Sequence, residues 1–290
     1  MKRVSNLSGA GRGILLYRES TQRFELSRYQ PSIELSSFVK HYWIVRWDLR
    51  NQKPYNQTIL AHPNVNMVLE DGAAHIYGVS RTVSNHLLSN KGAVLGVKFT
   101  SGGFYPFWNQ PLEQLVNASF SATKIFGGDI LTLASAINEA ILASASRNLS
   151  SEDIDTEHTS WVLQLDDLLK RRAPKRDVAG ERVTSIVDQI KSNPAITKVN
   201  RLANEIGANP RTLQRLFHRY IGLGPKWVIQ RYRLHEAAEQ MDQGIPLDWM
   251  NLAQDLGYFD QAHFIKDFKA IVGKSPVGYM SMVNTLDNQK

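Results

Sequence analysis

No cysteine occurs among the 290 residues. That excludes a disulfide frame, a thiolate zinc site and a cysteine nucleophile, and it fits a reducing cytoplasm. Long apolar runs are missing as well. No stretch approaches the eighteen or so apolar residues that cross a bilayer, and the polar start from Met1 to Gly13 lacks an apolar core like that of a signal peptide. No membrane partner is expected. Acidic residues are in the minority, 27 against 34 Lys and Arg, for a net charge of +7. This balance favours polyanionic partners without requiring them. No Ser/His/Asp spacing, phosphate-cradling glycine loop or paired-carboxylate arrangement stands out, so no catalytic residue and no cofactor are assigned.

What is present belongs to a folded protein long enough for one large domain or two ordinary ones: 42% hydrophobic and 21% charged residues. The first hundred or so residues read as β. From Phe38 to Trp47 the chain alternates, with Val39, His41, Trp43, Val45 and Trp47 on one face and Lys40, Tyr42, Ile44 and Arg46 on the other, which includes the polar set. Further strands are expected at Asn66 to Glu70, Ala74 to Val79 and Ala93 to Phe99, separated by Asp71-Gly72, Ser89-Asn90 and Ser101-Gly102-Gly103. Short strands with tight turns suggest a sandwich or small barrel. The period then becomes helical, with Ile130, Leu133, Ala134, Ile137 and Ile141, and again with Trp161, Leu165, Leu168 and Leu169. Ser144 to Thr159 between them reads as a serine-rich loop, and Lys170 to Arg176 as a solvated basic linker broken by Pro174. The expected fold is α+β in two domains: a β-rich domain over 1–120, a helical bridge and linker over 121–180, and an all-α domain over 181–290.

The last part carries two helix-turn-helix-like units. In the first, Val199, Leu202, Ala203 and Ile206 lead to Gly207 in the position that follows a helix end, and Asn209 and Pro210 supply the cap and first residue of the next helix. That helix has two faces. Leu213, Leu216, Phe217 and Tyr220 form the apolar one, while Arg211, Gln214, Arg215 and His218 repeat the same spacing on the other. Arginine can bond both acceptors of guanine, and glutamine can pair with adenine. Arg211 and Gln214 also lie toward the amino end, where a recognition helix reaches the groove floor.

In the second unit Asp248 to Leu256 precedes Gly257-Tyr258-Phe259, and Asp260 caps a helix whose buried stripe is Phe264, Phe268 and Ile271. Its other face offers Gln261, Ala262, Ile265, Lys266 and Lys269. Ala262 or Ile265 could touch a thymine methyl, and the two lysines suit phosphate. This unit is expected to add affinity more than discrimination. Between the units Pro225 to Met241 reads as one helix of about 25 Å, a rod suited to holding two recognition helices in successive major grooves about 34 Å apart. Over 198–233 eight cations, Lys198, Arg201, Arg211, Arg215, Arg219, Lys226, Arg231 and Arg233, face only Glu205. Double-stranded DNA is the expected partner.

These residues resemble the AraC/XylS family of bacterial transcription regulators. The likeness runs from about Glu181 to Met282. It rests on Arg211-Thr212-Leu213-Gln214-Arg215-Leu216-Phe217, Gly224-Pro225-Lys226-Trp227, Arg231-Tyr232-Arg233-Leu234, Gly257-Tyr258-Phe259-Asp260-Gln261, Ser275-Pro276 and Tyr279. It implies a domain of seven helices, with base contacts at Arg211, Gln214 and Arg215 and again at Gln261, Ala262 and Lys266; Ala262 departs from the polar residue some members carry. The front half is similar to the amino-terminal domain of one branch of the family through Tyr29-Gln30-Pro31, His41-Tyr42-Trp43, His62-Pro63-Asn64-Val65-Asn66 and Phe99 to Phe104. That likeness implies a cupin-like barrel that binds a small-molecule effector, forms a homodimer, or both.

His41, Trp43, Trp47 and His62 are the candidate pocket residues. The histidines His41, His62, His75 and His86 contain no His-x-His pair, so no metal ligand is assigned. The reading is a non-enzymatic, cytoplasmic, nucleoid-associated regulator, an activator rather than a repressor, which would also engage RNA polymerase. Its rivals are a metal-dependent cupin enzyme fused to a DNA anchor, and a ligand-independent architectural DNA binder.

Overall fold

Eight strands among the described residues precede the main helices. They are β1 (Glu25–Tyr29), β2 (Val39–Leu49), β3 (Tyr55–Ile59), β4 (Asn66–Glu70), β5 (Ala73–Tyr77), β6 (Ser84–Leu88), β7 (Asn90–Phe99) and β8 (Ser119–Ser121). The computed structural model describes residues 13–16, 20–143, 150–243 and 249–287, without the side chains of 249 and 284–287. The polar start through residue 12, the stretch 144–149 of the expected loop, and residues 244–248, Asp248 of the second unit among them, lie outside the described residues. All strand pairs are antiparallel: a six-stranded sheet in the order β1-β2-β7-β4-β5-β8, and a two-stranded sheet of β3 and β6. The β4–β5 hairpin turns at Asp71 and Gly72, with φ of 49° and 74°, a left-handed pair suited to the twist of the strands.

Short helices α1 (Tyr105–Trp108) and α2 (Thr123–Phe126) lead to α3 (Asp129–Ala143) and α4 (Ser151–Arg171). These two long helices pack on one face of the large sheet. Tyr42 and Ile44 of β2, Leu95 and Val97 of β7, and Met67 and Leu69 of β4 meet Ile130, Leu133 and Ile137 of α3 and Trp161, Leu165 and Leu169 of α4 in a single core. The expected assignment of β2 to its faces is corrected here. A bulge between Val39 and His41 brings Val39 into register with Tyr42 and Ile44, all three buried. Arg46, read as polar surface, is 8% exposed and bonds Glu157 of α4 at 2.7 Å. The expected loop is also corrected over Ser151 to Thr159, which is helix. Ser150 and Asp153 form a reciprocal capping box, and His158 and Trp161 begin the buried stripe.

Seven helices among the described residues complete the chain: α5 (Val178–Ser192), α6 (Val199–Glu205), α7 (Pro210–Tyr220), α8 (Pro225–Asp242), α9 (Trp249–Asp255), α10 (Gln261–Val272) and α11 (Pro276–Asp287). They divide around α8 into two cores. Val228, Ile229 and Tyr232 join α5, α6 and α7 in one; Leu234, Ala237, Ala238 and Met241 join α9, α10 and α11 in the other. The 18 residues of α8 span about 27 Å. Because both halves are buried, it carries no wide polar face.

The β-rich part is docked on both cores. Val79 and Tyr105 enter the first, and Leu15 and Leu60 enter the second. Gly102 and Gly180 meet so closely that a Cβ on Gly102 would lie 2.0 Å from the Gly180 carbonyl oxygen. Beside them the Gly102 amide donates to Thr184 Oγ1 at 3.0 Å. The Val83 amide donates to the Ile271 carbonyl at 3.1 Å, which fastens the far end. No helix among the described residues is long and apolar enough to cross a membrane.

Candidate nucleic-acid interface

The first turn is set by local chemistry. After α6 the chain reverses at Gly207, φ 60°, and the Asn209 side chain accepts the Arg211 amide at 2.8 Å, with Pro210 as first helical residue. Leu213, Phe217 and Tyr220 of α7 face inward. Arg211, Gln214 and Arg215 are exposed and share the opposite face, as their spacing predicts. His218 is half-buried. Its Nε2 lies 2.9 Å from Gln214 Nε2, and its Nδ1 lies 3.4 Å from Glu113 Oε1 of the β-rich part. Sequence reading missed this acid, since nothing local in Glu113 marks it as a neighbour of a helix a hundred residues away.

The second turn repeats the device. Gly257 adopts φ 79° after α9, and Asp260 accepts the His263 amide at 2.7 Å at the start of α10. Phe264 and Phe268 are sealed, while Ala262, Lys266 and Lys269 are exposed and Gln261 and Ile265 half-buried. Phe259, on the turn, is 92% exposed. Sequence reading noted it only as part of a turn.

The basic stretch contributes less open charge than its composition suggests. Arg231 and Arg233 are 1% and 0% exposed, so they face no polyanion. Arg231 Nη2 donates to the carbonyls of Ser80 at 2.9 Å and Arg81 at 2.6 Å, with its guanidinium 4.5 Å from the Trp227 ring. Burial lowers its pKa to about 10, which still leaves it charged at neutral pH. Arg233 bonds the Ile190 carbonyl and Glu236. Arg219 lies 4.6 Å over the Tyr105 ring. For Arg231 and Arg233 the reason is positional: they lie on the part of α8 that has protein on nearly every side, whereas Lys226 near its start stays exposed.

The front-half candidates are not gathered into one site. Trp47 is 8% exposed within a core of Phe24, Leu49, Leu88 and Val94, and its Nε1 donates to the Ser89 carbonyl at 3.0 Å. His86 pairs with Glu70 at 2.9 Å, and His75 lies on β5 beside Tyr77. His41 and Trp43 sit half-buried on β2, on the face away from α3 and α4. His62 stacks on His235 of α8 with ring centroids 4.0 Å apart. Among the described residues no group of three or more His, Asp and Glu is arranged to hold a metal ion.

Burial, followed by the charges of Lys98, Arg28, Lys40 and Lys191, lowers the His41 pKa to about 2. An unfolded histidine titrates near 6.5, so between the two values the unfolded chain binds the extra proton. Stability contributed by His41 is therefore present above about pH 6.5 and falls below it. Between pH 6.5 and 5 the loss is about 2 kcal/mol. Urea unfolding at pH 7 and 5 should show that much less pH sensitivity in His41→Phe; equal losses in both proteins would mean an ordinary histidine.

Comparison with known families agrees with this division of the chain. Residues 27–121 match a family described as a domain of unknown function (DUF6597), and residues 202–282 match one described as a helix-turn-helix domain. A comparison with curated proteins gives no match. Among solved structures, the carboxy-terminal domain of AraT, a response regulator from Geobacillus stearothermophilus, is 21% identical, covers 37% of this chain and 88% of its own, and has a TM-score of 0.32. ToxT from Vibrio cholerae O395 is 11% identical over 90% of this chain and 94% of its own, with a TM-score of 0.37. Wild-type ToxT from Vibrio cholerae strain SCE256, solved with unsaturated fatty acid bound, is 11% identical over 89% and 91%, also at 0.37. Two capped, glycine-turned units and the family match across residues 202–282 make this part of the chain a helix-turn-helix domain.

Proposed function

We propose that the chain is a non-enzymatic, sequence-specific transcription regulator, an activator rather than a repressor, working in the cytoplasm at the nucleoid. One observation carries this reading: two capped helices with exposed polar faces, α7 and α10, are packed on the two halves of one buried helix. Such a frame suits two successive major grooves on one face of DNA. Arg211, Gln214 and Arg215 read base edges, with His218 beside them. Gln261, Ala262 and Ile265 make lesser contacts, while Lys266 and Lys269 neutralise phosphate. Residues 1–120 form the sensing or dimerising domain, 121–180 the bridge and 181–290 the DNA reader. An effector bound to the front domain regulates the reader, with His41, Trp43 and His62 as candidate contacts once Trp47 is assigned to core. RNA polymerase and a second copy of the chain are the protein partners.

Footprinting across a genome tests the reading. A regulator protects one or a few sites upstream of promoters, whereas broad coating would mark an architectural binder. Two substitutions separate the roles of the helices. Arg215→Ala should cost about 1–3 kcal/mol at the specific site and relax base preference there. An equal loss on random DNA would assign Arg215 to phosphate instead. Lys266→Ala should weaken binding to all sequences alike and reduce the salt slope by about one unit. An unchanged slope counts against a phosphate contact.

A further inference from the structure

Helix α7 is held from the β-rich part as well as by its own helical neighbours. The short 3-10 helix Leu112–Leu115 packs on it. The approach is close: a Cβ on Gly222, just past the end of α7, would lie 2.6 Å from the Leu112 carbonyl oxygen. Tyr105 adds a ring 4.5 Å from that of Tyr220 and lies 4.6 Å from the Arg219 guanidinium. Packing of these neighbours fixes the backbone of Glu113, although its own side chain is mostly in solvent.

Glu113 Oε1 lies 3.4 Å from His218 Nδ1, and His218 Nε2 lies 2.9 Å from Gln214 Nε2. The Gln214 amide nitrogen has only hydrogens to offer, so the ring nitrogen that meets it is the acceptor. The proton of neutral His218 is then on Nδ1, the nitrogen that faces the Glu113 carboxylate, and a negative charge there favours that tautomer. These contacts run in one line from an acid of the β-rich part to the exposed face of α7. Gly224, the N-cap of α8, leaves room for the amide at the end of the line: a Cβ there would lie 2.9 Å from Gln214 Nε2 and 3.4 Å from its Oε1. Gly224 has φ −70° and ψ 161°, which alanine also adopts, so the missing side chain matters here for space.

An amide pairs with adenine in one orientation, its oxygen accepting from N6 and its N–H donating to N7. One N–H bonded to His218 still leaves the second N–H and the oxygen for a base. The other tautomer of His218 would donate from Nε2 and turn the amide end for end. We propose that Glu113 is a positioning residue for base recognition: acting through His218, it holds the Gln214 amide in the orientation that selects adenine. The same carboxylate opposes phosphate, so it lowers affinity for all sequences while it sharpens the choice among them. The base preference of α7 thereby depends on how the β-rich part is seated. This inference rests on the assignment of α7 as a DNA reader made above.

The test is selection from random duplex DNA by full-length wild type, Gln214→Ala, Glu113→Ala, Glu113→Gln and Gly224→Ala. Gln214→Ala should lose preference at one A·T pair of the wild-type motif, which identifies the pair it reads. Glu113→Ala should lose about fivefold or more of the preference at that same pair. Its preference at the pair read by Arg215 should persist, and its affinity for random DNA should stay level or rise. Glu113→Gln keeps an oxygen acceptor for the Nδ1 proton and should retain most of the preference. Gly224→Ala should unfold at the wild-type urea midpoint yet lose preference at the same pair, because the added methyl displaces the amide. The proposal is overturned if Glu113→Ala leaves that preference unchanged, or if it weakens every position alike, the mark of a loosened helix. It is overturned too if Gln214→Ala alters no single pair while a motif is still enriched, a result that leaves the DNA-reading assignment standing. A wild type that enriches no motif contradicts that assignment, and this proposal with it.

Discussion

Phe217→Ala is expected to cost about 3–5 kcal/mol of stability in the DNA-binding domain. The side chain is 0% exposed, on the inner face of α7, in a core with Val183, Ile186, Leu202, Leu213 and Val228. Those neighbours come from α5, α6 and α8 as well as α7, so they cannot all close on the void without moving the helix that carries Arg211, Gln214 and Arg215. The loss should appear in urea unfolding as a lower midpoint for the carboxy-terminal transition, together with weaker DNA binding at the temperature where that transition begins. Leu216→Ala, at a half-buried neighbouring position, should cost clearly less. A cost below about 1 kcal/mol for Phe217→Ala would mean that α7 is not held by this core.

The second large effect concerns the joint between domains. Arg231→Ala removes a buried guanidinium whose Nη2 reaches the Ser80 and Arg81 carbonyls, 151 and 150 residues away in sequence. Hydrogen bonds from a charged group contribute about 1.5–3 kcal/mol each, and the abandoned carbonyls lose their donor. About 3–5 kcal/mol of coupling between the domains should vanish. Calorimetric unfolding should then resolve into two transitions, and trypsin should cut sooner in the exposed basic segment at Lys175 and Arg176. A single, unshifted transition would contradict the assignment of Arg231 as a strut.

Local signals were legible in the sequence where local chemistry decides the outcome. Asn209-Pro210 and Asp260 start helices because a side-chain oxygen and a preset φ act within one turn, and both helices begin there. Asp71-Gly72 makes the hairpin for a comparable reason. Periodicity likewise separates the strands from the seven-helix domain. It does not say which face of β2 meets the larger partner, since alternation is symmetric between faces and the bulge at Val39 and His41 shifts it. Nor does it reveal which cations are exposed. Arg231 and Arg233 look like a basic stripe in sequence and are buried because helices and the β-rich part enclose α8. Glu113 beside His218, and His62 beside His235, are products of docking between distant segments. The exposed face of α7 was thus readable from one helix, and the contacts between the β-rich part and the carboxy-terminal helices were not.

The central claim is that α7 discriminates among sequences while α10 mainly holds, with both on one face of DNA. Selection from random duplex DNA by the full-length protein tests it most directly. The account predicts an enriched motif with two boxes about 10–10.5 base pairs apart, one turn of the duplex. Most of the sequence preference should lie in one box, and that preference should be lost in Arg215→Ala. Enrichment of no motif, or of two boxes with equal preference untouched by Arg215→Ala, would contradict it.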